Sequence, residues 1–174
     1  MEQINTDVHD SIRTVGDDEQ LQLVTFDVAG EEYAVDILSV REINRMMELT
    51  RVPRSPDDVE GVINLRGTII PVLDLRRRFG IPGSERNEHT RIIVVEVGGH
   101  VIGFIVDRVH EVLRVNRSIV EPAPAMACPV DSAFISGVAK LDDRLLILLD
   151  LERLFDGGVL ADAEESNATV TEGG

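Results

Sequence analysis

Apolar and polar positions alternate along this chain in short runs, and the runs are punctuated by turn residues. Leu21 to Ala29 alternates and is rich in Val, Leu, Thr and Phe, which predicts a strand; Gly30-Glu31-Glu32 turns it back into Tyr33 to Asp36. Asp36 to Ser39 reads as one helical turn. Val40 to Arg45 is a third strand, with Val40, Glu42 and Asn44 expected on one face and Arg41, Ile43 and Arg45 on the other. Met46 to Asp58 is a loop broken by Pro53 and Pro56. Gly61 to Leu75 then reads as two apolar strands joined by a tight turn at Asn64 to Thr68. Gly67 sits where the turn wants φ > 0, and Asp74 is placed to N-cap a short helix through Phe79, ended by Gly80 and Pro82.

This pattern occurs twice. Phe26 to Val35 lines up with Val95 to Phe104, and Val40-Arg41-Glu42-Ile43 with Val109-His110-Glu111-Val112, both at an offset of 69. The hairpin at Gly61 returns 76 positions later as Gly137 to Leu151, so Gly137 and Asp150 take the places of Gly61 and Asp74. Two copies are too few for a repeat array, and duplication into two small modules follows. The segment with Pro122, Pro124 and Pro129 is expected to be loop with a short helical piece. Ten short strands and two short helices predict a mainly β protein of two small barrels. The expected division is a first barrel at about 21–88 and a second at about 89–155, flanked by tails at 1–20 and 156–174.

Charge sharpens that division. The net charge is −15, with six acids against one arginine in 1–20 and five acids without a base in 156–174. Neither tail has apolar periodicity, so both are expected to be solvated and mobile. Nucleic acid is a poor partner for such a chain, which has no basic patch joined to aromatics. Of its 17 basic residues only Lys140 is lysine. An acidic surface almost without lysine is similar to that of proteins from a cytoplasm holding molar salt, where the screening length falls to ~3 Å and self-repulsion is tolerable. No run approaches the ~20 apolar residues of a membrane span. The acidic start is no signal peptide, which makes the expected setting cytosolic.

The chemistry-bearing residues give little support to catalysis. Cys128 is the single cysteine, and the four histidines have no ligand spacing, so neither metal nor cofactor is expected. Asp74 and Asp150 are repeat-related and invite comparison with a paired-carboxylate hydrolase, but they are followed by Leu75-Arg76 and Leu151-Glu152, without the turn such a dyad needs. Helix capping accounts for both. Arg76-Arg77-Arg78 reads as a solvated helix face. Val40, Val109 and Val112 suit either core packing or an apolar groove open to a partner helix; alternation does not separate the two.

Val40-Arg41-Glu42-Ile43, Gly61 to Gly67 with its Asn-Leu-Arg-Gly, Ile70 to Arg76 with its Pro-Val-Leu-Asp-Leu, and Phe79 together resemble the CheW family of chemotaxis coupling proteins. The resemblance covers about 21–155 and includes Gly103, Val106-Asp107, Pro122-Ala123-Pro124, Gly137 and Leu146-Ile147-Leu148 in the second copy. It implies two interlocked SH3-like five-stranded barrels and a non-enzymatic adaptor between the cytoplasmic tip of chemoreceptors and the histidine kinase CheA. By the same resemblance Ile37, Val40, Glu42, Val109 and Val112 line a receptor-binding groove, with Asn64 and Arg66 as coupling residues beside Glu42. The kinase's regulatory domain is expected to pack barrel to barrel against the adaptor, and further copies to close array rings. Arg91 departs from the family, which usually has a small apolar or β-branched residue there. A duplicated β-barrel hydrolase using Asp74 and Asp150, and a scaffold for a non-motility array, are the alternatives.

Overall fold

The computed structural model describes residues 19–54, 59–83, 85–123 and 131–155. The expected tails therefore lie almost wholly outside the described residues, as do Pro56, Pro124, Cys128 and Pro129. Glu19 and Gln20, assigned above to the first tail, instead belong to the fold. Gln20 opens the first strand opposite Asn116, and Glu19 pairs with Arg117 (Nε to Oε1 3.0 Å).

The strands are β1 (Gln20–Val28), β2 (Glu31–Asp36), β3 (Val40–Arg45), β4 (Val59–Leu65), β5 (Thr68–Asp74), β6 (Arg91–Val97), β7 (His100–Val106), β8 (Arg108–Asn116), β9 (Val120–Glu121), β10 (Ile135–Lys140) and β11 (Leu145–Leu149). Two one-turn helices follow the hairpins, α1 (Leu75–Arg78) and α2 (Leu151–Leu154), and 3-10 turns occupy Ile37–Ser39, Arg117–Ile119 and Ser132–Phe134. The count expected from the sequence was ten strands. The described residues hold eleven, and the added one is β9, a two-residue strand held on β10 through Val138 and Ala139 and too short to show a period.

The sheets do not follow the repeat. One has the order β8-β1-β2-β11-β10-β9 and the other β3-β6-β7-β5-β4. The first copy's β1–β2 hairpin thus lies between strands of the second copy, and the second copy's β6–β7 hairpin lies between strands of the first. The exchange is symmetric: β1 takes β8 as β6 takes β3, and β2 meets β11 in parallel as β7 meets β5. The copies are interlocked by backbone hydrogen bonds, so the 88/89 division marks the repeat and separates no sheet.

Three cores explain the apolar runs. Ile92 and Val94 of β6 point into a small core with Ile63, Ile70, Val72 and Ile105, inside the five-stranded barrel. Ile93 and Val95, alternating with them, point into a large core shared with Val24, Phe26, Val28 and Tyr33 of the other sheet. Leu23, Ala34, Val115, Ala139, Leu146 and Leu148 fill the six-stranded barrel. A strand buried on both faces needs apolar residues at successive positions, and Ile-Ile-Val-Val in β6 is the result. The shared core is joined by rings: Phe26 to Phe104 at 5.7 Å between centroids, and Phe104 to Phe155 at 5.9 Å. No helix among the described residues is long and apolar enough to cross a membrane.

The repeat-related glycines Gly61 and Gly137 serve close approach. Gly137 lies within β10 at a bulge. A Cβ there would stand 2.5 Å from Val120 Cγ1, and one on Gly61 would stand 2.6 Å from the Thr50 carbonyl oxygen, where Thr50 bridges Val62. Gly61→Ala is expected to destabilise by about 1–3 kcal/mol, because backbone and not a side-chain tip must yield. Thermal melting checks this; an unchanged midpoint would mean that the Thr50 segment moves aside freely.

Candidate functional site

Val40, Glu42, Val109 and Val112 sit on edge strands, Ile37 on the 3-10 turn before β3, and Asn64 and Arg66 at the β4–β5 turn. β3 and β8 are the ends of their respective sheets, and they are repeat equivalents. A bulge interrupts both pairings. Between Val40 and Glu42 the register on β6 shifts, so Val40 faces Val95, Glu42 faces Val94 and Ile43 faces Ile93. Directly opposed residues share a face. Val40 therefore lies with Ile43 toward the shared core, while Glu42 and Asn44 lie toward the small core of the five-stranded barrel. This corrects the simple alternation, which grouped Val40 with Glu42 and Asn44; the extra residue of a bulge reverses the parity of everything beyond it.

β8 repeats the arrangement. Val109 faces Phe26 and Val112 faces Val24, across a shift between Val24 and Phe26, so both point toward the shared core. Val40 and Val109 pack against that core partly buried, as does Ile37 from its 3-10 turn. Asp36 caps that turn by accepting the Leu38 N–H at 2.9 Å. Val112 is 50% exposed and Ile43 41% exposed. Of the three valines that suited either core or groove, Val40 and Val109 are core margin and Val112 is apolar surface. Ile43 was missed by the sequence reasoning, though its alignment with Val112 in the repeat was a usable signal. Leu38, also missed, is 89% exposed at the tip of the 3-10 turn.

Glu42 and Arg66 meet. Arg66 Nη2 donates to Glu42 Oε2, with the arginine side chain 74% exposed and the glutamate 28%. The turn that presents Arg66 is built by its neighbours. Arg66 and Gly67 have φ of 52° and 89°, the double left-handed turn favoured in two-residue hairpins. Asn64 Oδ1 closes it by accepting the Gly67 N–H at 2.8 Å, so Asn64 is exposed but holds the loop's shape.

The paired aspartates are helix caps. Asp74 Oδ1 accepts from the Arg76 N–H at 3.0 Å while Oδ2 takes Arg86 Nη2 at 3.3 Å, and Asp150 Oδ1 accepts from the Arg153 N–H at 3.1 Å. Arg76 and Arg78 are not the solvated face expected. Arg76 donates from Nε and Nη2 to the two oxygens of Asp107 (3.2 and 2.7 Å) and from Nη1 to the Pro82 carbonyl. Asp107 also accepts the Ala29 N–H at 2.8 Å, so one carboxylate ties α1, the β1–β2 turn and the end of β7. The hydrogen bond to Asp107 raises the Arg76 pKa further, against the opposing effect of burial. Arg78 Nε donates to the Leu154 carbonyl at the end of α2, 2.6 Å away, and its guanidinium lies 5.1 Å from the centre of the Phe134 ring. Helical periodicity has no means of showing such long-range partners. Asp107→Ala is expected to cost about 1–3 kcal/mol by orphaning the Ala29 amide and the Arg76 guanidinium, with a smaller loss for Asp107→Asn. Denaturant titration checks the order.

Among the described residues no cluster of His, Cys, Asp or Glu can hold a metal ion. The arrangement offers apolar edges beside the Glu42–Arg66 ion pair, which suits binding.

The comparisons with known proteins agree. Residues 22–158 match the model of the CheW-like domain family. The chain is 38% identical over 140 residues to a protein of Klebsiella aerogenes named chemotaxis protein CheW, covering 80% of this chain and 84% of that one. It is 36% identical over 135 residues to the Bacillus subtilis protein of the same name, covering 78% and 86%. The crystal structure of a scaffolding CheW protein from Thermoanaerobacter tengcongensis superposes with a TM-score of 0.74 at 41% identity, covering 81% of this chain and 91% of that one. The match spans both copies of the repeat and both interlocked sheets. The chain belongs to the CheW-like family and is a non-enzymatic chemotaxis adaptor built from two β-barrel subdomains.

Proposed function

We propose that the chain couples the cytoplasmic signalling tips of chemoreceptors to the histidine kinase CheA, so that receptors control kinase autophosphorylation. The observation that carries this reading is the pair of bulged edge strands, β3 and β8, which present Val40 with Ile43 and Val109 with Val112 at equivalent places beside one core. Apolar side chains half exposed at a rim, next to a paired glutamate and arginine, suit a helical partner laid along the edge. Ile37, Val40, Glu42, Val109 and Val112 form the receptor groove in this reading, and Asn64 and Arg66 act in coupling. The adaptor works in the cytoplasm, recruited to receptor arrays, where other copies of the chain take part in the rings. Its acidic, lysine-poor composition suits a high-salt cytoplasm.

The test is binding of the purified full chain, in molar salt, to the regulatory domain of the CheA of the same genome, and separately to a receptor-tip fragment. Binding to both, each competed by excess unlabelled chain, is the expected result. A folded chain that binds neither would overturn the proposal.

A further inference from the structure

In this acid-rich chain arginines regularly meet carboxylates: Arg41, Arg66, Arg76, Arg86, Arg117 and Arg144 each pair with at least one. The far end of β3 does the opposite. Arg45 stands directly opposite Arg91 on β6, and neither has a carboxylate partner among the described residues. Opposed residues share a face, so two like charges are held side by side, an arrangement that costs stability. Arg91 is also anchored. Its Nη1 donates to the carbonyls of Glu88 (2.8 Å) and Thr90 (2.9 Å), while its Nε and Nη2 make no hydrogen bond among the described residues.

The repeat supplies an internal control. The equivalent pair in the other sheet is Arg114 opposite Gln22, one charge where the β3 end has two. The doubled charge is therefore a property of one edge and is no demand of the fold. Ile43, two positions before Arg45 and on the same face, is 41% exposed. An exposed aliphatic side chain beside two guanidinium groups without acids, on a molecule of net charge −15, is complementary to a segment presenting an acid next to an apolar residue. On a helix those two groups would be three or four positions apart.

We propose that Arg45 and Arg91 form a carboxylate-binding subsite at the end of the β3 edge, which takes an acidic side chain from the helical partner docked along β3. The subsite rests on the adaptor reading above and names one chemical feature of the partner. Two neighbouring guanidiniums, one already fixed by backbone carbonyls, can share the two oxygens of a single carboxylate.

The experiment measures binding of the folded full chain, as wild type, Arg45→Gln, Arg91→Gln and the double variant, to the receptor-tip fragment and to the CheA regulatory domain over a series of salt concentrations. The double variant is expected to bind the receptor fragment roughly ten-fold more weakly, with a shallower salt dependence, and to keep its affinity for the kinase domain. Relief of like-charge repulsion should leave its melting temperature equal or higher. Arg45→Gln alone changes an exposed side chain that makes no hydrogen bond or ion pair among the described residues, so it tests the subsite without touching the fold, and roughly three-fold weakening is expected. A double variant within two-fold of wild type at every salt concentration, or one that loses both partners equally, would overturn the subsite. A wild type that fails to bind the receptor fragment at all would overturn the adaptor reading itself.

Discussion

Replacing Phe104 by alanine is expected to lower the unfolding free energy by about 3–5 kcal/mol, the largest stability effect of any single substitution considered. Phe104 has no exposed surface, and its ring touches Phe26 of the six-stranded sheet and Phe155 beyond α2. Its own strand, β7, lies at the middle of the five-stranded sheet. The truncation thus opens a cavity where both barrels and the last helix meet. The two interlocked copies cannot separate without breaking β1–β8, β2–β11, β3–β6 and β5–β7 together, so unfolding should stay a single cooperative transition with its midpoint lowered by on the order of 10 °C. Calorimetry decides. A variant with two transitions, one near the wild-type temperature, would show that the barrels hold up independently despite the exchanged strands.

Glu42→Ala and Arg66→Ala should do the reverse, leaving the fold and removing partner binding. The pair is a surface one, with Arg66 largely in solvent, and such pairs stabilise by only ~0–1 kcal/mol. Neither side chain fills the core, and the turn carrying Arg66 is shaped by Asn64 and Gly67 without help from its guanidinium. Melting should therefore move by at most a few degrees. Binding to the receptor fragment or to the kinase domain should fall roughly ten-fold or more, as expected of a charged contact at the centre of an interface. Isothermal titration alongside melting checks both arms. A melting loss that tracks the binding loss would make the pair structural, and the coupling role would fall.

A good part of this was legible in the sequence. Asn64 to Thr68 announced its turn because positive φ at a hairpin turn is a local demand that Gly67 meets cheaply. Asp74 and Asp150 announced their helices because a cap acts on amides two or three residues away. The candidate edge was legible less directly. Val40, Val109 and Val112 stood out, but core and groove remained equal readings, since exposure depends on what covers a strand. Arg76 and Arg78 were misread as solvated because their partners, Asp107 and the Leu154 carbonyl, lie 31 and 76 positions away. Arg45 and Arg91 face each other across 46 positions of chain, a juxtaposition no local pattern contains.

The sequence by itself determined the repeat, the strands and turns within each copy, the capped helices and the family, because each depends on short-range backbone preference or on residues in order. The tertiary structure decided which copy each strand pairs with, and with it the two bulges. A bulge depends on the partner strand as much as on its own, and one added residue reverses which face every later side chain takes. That is why Val40 and Ile43, split by alternation, share the face where a partner would dock.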